Sequence, residues 1–209
     1  MTGDIFQYPK WDTSFKGMTV AARSLLRKYT RSDQVYNVRR VEILGPDLAA
    51  AHFFTKRGGI VKFIGENMVF DKTLYKSLPT SRDPSFHLEA ISLPNFDLYY
   101  EGLENLRNLH HLKAISFRGV EQFNNWYLDR LSCLVPTLEY LDISYCNRVD
   151  FNGLHCLYRL RNLKCLNVEG VSDSLPFRVN CLTLESEKPD LVVVGLITRP
   201  KVKSAFDDE

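Results

Sequence analysis

The sequence predicts an α/β fold in which one short strand and one short helix recur along the chain. Two independent patterns carry that prediction. "LKAISFRGV" (112–120), "LEYLDISYC" (138–146) and "LKCLNVEGV" (163–171) superpose with shifts of 26 and 25 residues. A second set of leucines, Leu103/Leu106/Leu109, Leu128/Leu131/Leu134 and Leu154/Leu157/Leu160, superposes with shifts of 25 and 26. The first motif alternates apolar and polar residues at period two, as in a strand with one buried face. The second spaces leucines three apart, as on one face of a short helix. At 209 residues with 44% apolar and 25% charged side chains, the chain can bury a shared core.

This period and pattern are those of a leucine-rich repeat of the cysteine-containing type, so the predicted architecture is a short solenoid with a period of 25–26 residues. Neither strand nor helix can bury its apolar face alone, and each unit uses its neighbours as core. Four segments follow in order: a basic N-terminal extension (1–44), an N-terminal cap (45–83), the repeat domain (84–197) and a C-terminal tail (198–209).

The extension carries seven basic residues and one acid, Asp33, between Lys16 and Arg40. Three readings stay open for it. It is arginine-rich and acid-poor from Met18, as a transit peptide is, although Asp4 and Asp12 precede it. It also suits a basic amphipathic helix on an anionic membrane surface or an acidic partner, or a solvated extension. Phe6, Tyr8, Trp11 and Phe15 have no predicted core to join, which points to a partner-bound arm.

The cap is read from "GPDLAAAHFFTKRGGIVKF" (45–63) as a helix, a glycine turn and a strand. Pro46 suits a first helical position, and Gly58 with Gly59 supplies the stop. A first, degenerate repeat starts at Leu88, with Ile91 and Leu93 inward and Leu103 opening the helix. "LVVVGL" (191–196) is the last strand, shifted 28 from the unit at Leu163. About four and a half units stack. Cys146, Val120 and Val171 turn inward after their strands, and Cys146 reads as a small buried hydrophobe.

Several functions are excluded or lack support. A formal charge of +2 with a pI near 8.2 gives nucleic-acid binding no compositional basis. The densest apolar run, "LVVVGLI" (191–197), is far short of the roughly 20 residues a membrane-spanning helix needs. Five cysteines without CxxC spacing argue against a disulfide framework or a zinc knuckle and favour a reducing compartment. His52, His87, His110, His111 and His155 form no metal-binding spacing, and no GxSxG is present. His155 and Cys156 point to different sides of their helix. The expectation is a protein without catalytic residues, cofactor or metal.

What the architecture offers instead is the strand face. If Ile115, Phe117, Leu141, Ile143, Leu166 and Val168 point inward, the alternate residues point out: Ala114, Ser116 and Arg118, then Tyr140, Asp142 and Ser144, then Cys165, Asn167 and Glu169. From these, Arg118, Tyr140, Asp142, Asn167 and Glu169 are the predicted partner-binding surface, tyrosine and arginine being common interface anchors. The competing reading is a short solenoid that simply exposes polar strand residues. Trp126, ahead of the Leu128 triplet, is expected to pack against its neighbouring helix.

Four stretches, "GPDLAAAHFFTKRGGIVKF", "LYYEGLENL" (98–106), the repeats of 127–171 and "PDLVVVG" (189–195), together resemble a mitochondrial leucine-rich-repeat family. It is the family of the complex I distal membrane-arm assembly component and of ATP synthase subunit s (coupling factor B). The resemblance covers roughly residues 45–196. "YYEGLENL" and "VVVG" favour the complex I branch. It implies a non-enzymatic accessory protein on the matrix side of the mitochondrial inner membrane, acting with complex I membrane-arm subunits or assembly factors. The alternative it leaves is an ATP synthase component, and peripheral membrane association is compatible with either. A more remote alternative is a leucine-rich-repeat substrate adaptor for ubiquitin ligation. Such adaptors place an F-box-like helical segment ahead of the repeats, where this chain reads as helix, glycine turn and strand.

Overall fold

The computed structural model describes residues 31–196, with Ala22. The expectations placed on Phe6, Tyr8, Trp11 and Phe15, on the basic stretch up to Thr30, and on the tail from 198 fall outside these residues. Among the described residues the fold is α/β, with several helices and one mixed seven-stranded sheet.

The chain starts with two consecutive helices, α1 (Val38–Leu44) and α2 (Pro46–Lys56). Asn37 caps α1 by accepting from the Arg40 N–H, and Gly45 both ends α1 and precedes Pro46 at the start of α2. Asp47 in the first turn and Lys56 in the last suit the helix dipole of α2. This helix is buried through Leu48, Ala49, Ala50, Ala51, Phe53 and Phe54, so its surroundings are protein on most sides. It ends in the anticipated glycine turn. Gly58 takes φ +95°, and a Cβ on Gly59 would lie 2.7 Å from Leu93 Cδ2, so the second glycine is there for close approach.

Strand β1 (Ile60–Phe63) follows, then β2 (Val69–Phe70) and β3 (Leu88–Ser92). Both β2 and β3 pair with β1 antiparallel. From β3 onward the sheet is parallel through β4 (Ala114–Ser116), β5 (Tyr140–Asp142), β6 (Cys165–Asn167) and β7 (Val192–Val194). Ala90, Ala114, Tyr140, Cys165 and Val192 stand in line across these five strands, at separations of 24, 26, 25 and 27 residues. The last separation differs from the expected 28. Leu191 turns inward immediately before β7, so one spacer residue is saved and Val193, packed against the core, stands opposite Leu166.

The segments that return the chain between parallel strands are the 3-10 helix Tyr100–Leu106, α3 (Asn125–Leu134), the 3-10 helix Gly153–Arg159 and α4 (Leu175–Glu187). The leucine spacing explains their type. With three residues per turn, a 3-10 helix stacks positions i, i+3 and i+6 on one face, and Leu103, Leu106 and Leu109, like Leu154, Leu157 and Leu160, are all buried. In α3, at 3.6 residues per turn, the third leucine rotates away. Leu134 is accordingly only partly buried, and Val135 takes the core position beside Leu128 and Leu131. Asn124 fixes the start of α3 by accepting from the N–H groups of Trp126 and Tyr127.

The segment ahead of residue 45 is anchored to this body. Gln34 is 1% exposed, donates from Nε2 to the Asp97 carbonyl (2.6 Å) and accepts the Tyr99 N–H (2.8 Å). Asn105 Nδ2 donates to the Gln34 carbonyl at 3.0 Å. Thus Gly102 and Asn105 of the "YYEGLENL" stretch hold the N-terminal segment in place; a Cβ on Gly102 would lie 2.6 Å from Gln34 Oε1.

Candidate docking surface

One face of the sheet is the inner wall of the core: Ile115, Phe117, Leu141, Ile143, Leu166 and Val168 are all buried. The other face is read in rows, because parallel register places equivalent residues side by side. The first row is Lys62, Ala90, Ala114, Tyr140, Cys165 and Val192; the second is Ile60, Ser92, Ser116, Asp142, Asn167 and Val194. At the β1–β3 end these rows form a shallow groove of about 240 Å³, walled mainly by Ile60, Val69, Ala90, Ala114 and Tyr140, with Lys62 at its edge. Tyr140 is half-buried, and burial, with the Asp142 charge adding to it, pushes its phenol up from its ordinary value.

Of the five residues singled out from sequence, the structure brings Arg118 and Glu169 together. Arg118 Nη1 lies 3.6 Å from Glu169 Oε2, spanning the intervening repeat, where the equivalent residue is the small Ser144. Both side chains are about half exposed, so the pair contributes little to stability. Asn167 is half-buried, and its Oδ1 accepts the Glu169 N–H, which steadies the backbone under the carboxylate.

Asp142 keeps the outward register that alternation predicts, in one row with Ser116 and Asn167, but it and Ser144 are covered rather than exposed. Asp142 is 6% exposed and Ser144 is fully buried. The Asp142 carboxylate accepts from Ser116 Oγ (2.8 Å), Ser144 N (2.9 Å) and Ser144 Oγ (2.5 Å). Its acceptor capacity is turned into the sheet, and it ties β4 to the turn after β5. The strand alternation gave its direction correctly; its neighbours' hydroxyls, which cover it, are invisible to that pattern.

Tyr145 is the residue that sequence reasoning missed. It is exposed, its hydroxyl donates to Glu169 Oε1 at 2.7 Å, and the Arg118 guanidinium sits 4.7 Å over its ring. The hydrogen bond to Glu169 raises its phenol pKa. A signal was available. The turn after each of the five parallel strands, β3 to β7, contains one residue in the left-handed region: Asn95 (φ 50°), Gly119 (69°), Tyr145 (61°), Gly170 (65°) and Gly195 (85°). A tyrosine where its neighbours have glycine or asparagine is an unusual occupant of that conformation, and such strain concentrates at functional sites. Gly170 leaves the space that the Tyr145 ring fills, since a Cβ there would meet the ring at 2.8 Å. Arg118, Tyr145 and Glu169 thus form one charged and aromatic cluster beside the apolar groove.

Elsewhere, Trp126 does not pack as expected. It is 73% exposed on the first turn of α3, because Tyr127, next to it, takes the inward position and donates to the Leu98 carbonyl. Cys146 is fully buried, its thiol donating to the Phe117 carbonyl and pushed by burial up to about 12. Cys181 is buried likewise, and its thiol is also pushed up to about 12. Cys156 donates to Asp129, which Arg159 also binds. His110 and His111 are exposed, with His111 against His87. Among the described residues no group of three or more His, Cys, Asp or Glu side chains is arranged to hold a metal ion, and no helix is long and apolar enough to cross a membrane.

No family model matches the chain. Comparison with curated proteins finds 44% identity over 168 residues with distal membrane arm assembly component 2 of Drosophila melanogaster. That match covers 79% of this chain and 59% of the fly protein, so the chain spans about three fifths of the relative's length. Mitochondrial ATP synthase subunit s of Mus musculus is 29% identical over 140 residues, covering 64% of this chain and 69% of that protein. The Homo sapiens subunit s is 28% identical over 130 residues, covering 61% and 64%.

Proposed function

We propose that this relative of distal membrane arm assembly component 2 and of mitochondrial ATP synthase subunit s is a non-enzymatic accessory protein that acts through protein contacts in the assembly of the distal membrane arm of respiratory complex I. On this reading it works at the matrix side of the mitochondrial inner membrane. The parallel part of the sheet, advancing 24 to 27 residues per strand, is then a short leucine-rich-repeat solenoid with α2, the glycine turn and β1 as its N-terminal cap. The observation that carries the assignment is the higher identity to the assembly component, 44% against 28–29% for subunit s. The site we assign to the partner is the outer sheet face, with Arg118, Tyr140, Asn167, Glu169 and Tyr145 as contacts and Asp142 as the residue that holds them in register.

Affinity purification from detergent-solubilised mitochondria, followed by native gels and identification of co-migrating proteins, tests both parts. Complex I membrane-arm subunits in a partial assembly are the expected companions, and Arg118→Gln combined with Tyr140→Ala and Glu169→Gln is expected to release them. Enrichment of ATP synthase subunits would move the function to the second reading, which the matches to subunit s support. Retention of the partner by the triple variant would remove the sheet face from the proposal.

A further inference from the structure

The N-terminal end of the body presents a second surface unlike the first. α1 and the segment ahead of it expose Val35, Val38 and Ile43, each more than half accessible. Arg39 and Glu42 are exposed among them. Between α1 and α2 runs a shallow groove of about 360 Å³, lined by Asn37, Arg39, Arg40, Ile43, Leu44, His52 and Thr80, with walls that are almost wholly carbon. His52 is engaged with the Pro79 carbonyl at 2.9 Å. The groove is therefore apolar, with Arg39 and Arg40 among the residues that line it.

The charge around those groups is unbalanced. Asp33, the acid that acts favourably on Arg40, is already bound by Arg57, whose guanidinium also donates to the Asp33 and Phe53 carbonyls. Arg40 is half-buried, and its pKa is lowered by burial and then by the neighbouring Arg57 charge. Arg31, the next cation back, is held by Glu101. An anion beside Arg40 would add a favourable charge without breaking any of these pairs. The chain immediately ahead, residues 13–30, adds Lys16, Arg23, Arg27 and Lys28 and has no acid, so the same excess of positive charge continues beyond this surface.

We propose that this face docks on an anionic phospholipid surface, with phosphate groups at Arg39 and Arg40 and with Val35, Val38 and Ile43 entering the headgroup–acyl boundary. Exposed aliphatic side chains beside arginines suit a leaflet better than a free anion, because the apolar residues gain from burial at the interface and the guanidinium groups stay at headgroup level. The proposal goes beyond the assembly role and does not depend on which complex is the partner, since lipid vesicles contain neither.

The test is co-sedimentation of the full chain with vesicles of phosphatidylcholine alone and with vesicles in which part of it is replaced by phosphatidylglycerol. Binding is expected to the second kind and to weaken as salt rises. Arg39→Gln with Arg40→Gln should weaken it about fivefold per arginine, roughly twentyfold or more together. Val38→Ser with Ile43→Ser should weaken it several-fold even at high salt, where the charge contribution is screened. Circular dichroism melts establish that each variant is folded. Equal binding to both kinds of vesicle would overturn the proposal. So would undiminished binding of the double arginine variant, which would give the affinity to residues ahead of the groove. Full displacement by glycerol phosphate would mark a free-anion site instead and would overturn it as well.

Discussion

Replacing Asp142 separates a residue that builds the sheet face from the residues that use it. The Asp142 carboxylate accepts three hydrogen bonds, from Ser116 Oγ, Ser144 N and Ser144 Oγ, in a place where it is 6% exposed. Hydrogen bonds to a charged acceptor contribute about 1.5–3 kcal/mol each, but they do not add when one acceptor serves all of them. In Asp142→Ala the two hydroxyls can turn toward other acceptors; the buried Ser144 N–H cannot. Against that loss stands the relief of no longer burying a carboxylate. The net cost expected is about 2–4 kcal/mol, which lowers the melting temperature by about 5–15 °C for a domain of this size. Asp142→Asn keeps an oxygen for Ser144 and offers an amide N–H to the Ser116 hydroxyl, so its cost should stay below about 1.5 kcal/mol. Thermal unfolding followed by circular dichroism reads both. A melting point for Asp142→Ala within a degree or so of the parent, or an equal loss in the two variants, would refute the reasoning that the carboxylate is structural.

Further outcomes follow from the same geometry. Gly170→Ala, at φ +65° and with its new Cβ 2.8 Å from the Tyr145 ring, should destabilise by about 1–2 kcal/mol in denaturant titration, and by less when Tyr145 is also glycine. Trp126→Ala, at an exposed position, should leave stability within about 0.5 kcal/mol of the parent. In the native protein an alkylating reagent should modify Cys133 quickly and reach the buried Cys146 and Cys181 only on unfolding, as mass spectrometry of timed samples would show. Glu101, Asp129 and Glu139 have their pKa values lowered, chiefly by hydrogen bonds from Arg31, Arg159 and Lys164. Groups shifted down add stability that is complete above their unfolded-state values and is lost as pH falls through the folded ones. Stability should therefore decline below about pH 4, with a smaller decline in high salt because these groups are partly exposed.

Periodicity carried the parts of this fold that repeat. The strand motifs and leucine triplets located the parallel strands and the segments that return the chain, and Pro46, Gly58 and Gly59 located the helix, turn and strand ahead of them. Where the structure departs, a second residue decided the outcome. Leu134 yields to Val135 because α3 is an α-helix while its counterparts are 3-10 turns, a distinction that a spacing of three does not make. Asp142 is hidden by Ser116 and Ser144, residues 26 positions and two positions away. Gln34 lies outside every repeat, and its anchoring depends on Asp97, Tyr99 and Asn105, which no pattern links to it. Tyr145 alone left a legible trace, as the one aromatic side chain in a column of glycines and asparagine.

That column also bears on how such short strands find their register. Strands β4 to β7 have three residues each, and a slip of one residue would turn Leu141 and Leu166 outward. Hydrophobic alternation penalises that slip, but a slip of two residues preserves it. Charge does not. Glu89 near the start of β3 and Lys113, Glu139 and Lys164 just ahead of β4, β5 and β6 follow one another across the sheet, joined by backbone bonds from Lys113 N to Glu89 O, from Glu139 N to Lys113 O and from Lys164 N to Glu139 O. Their signs alternate, and Lys62–Glu89 and Lys164–Glu139 close as ion pairs. At the other end of each strand the left-handed residue accepts only a small or asparagine side chain except at Tyr145, whose ring needs Gly170 beside it. A slip of two residues would set Tyr145 against the Cβ of Val168 or Ser172 and lose that space. The register that keeps the core dry is therefore the one that brings Arg118, Tyr145 and Glu169 together, so this cluster forms as a consequence of folding correctly.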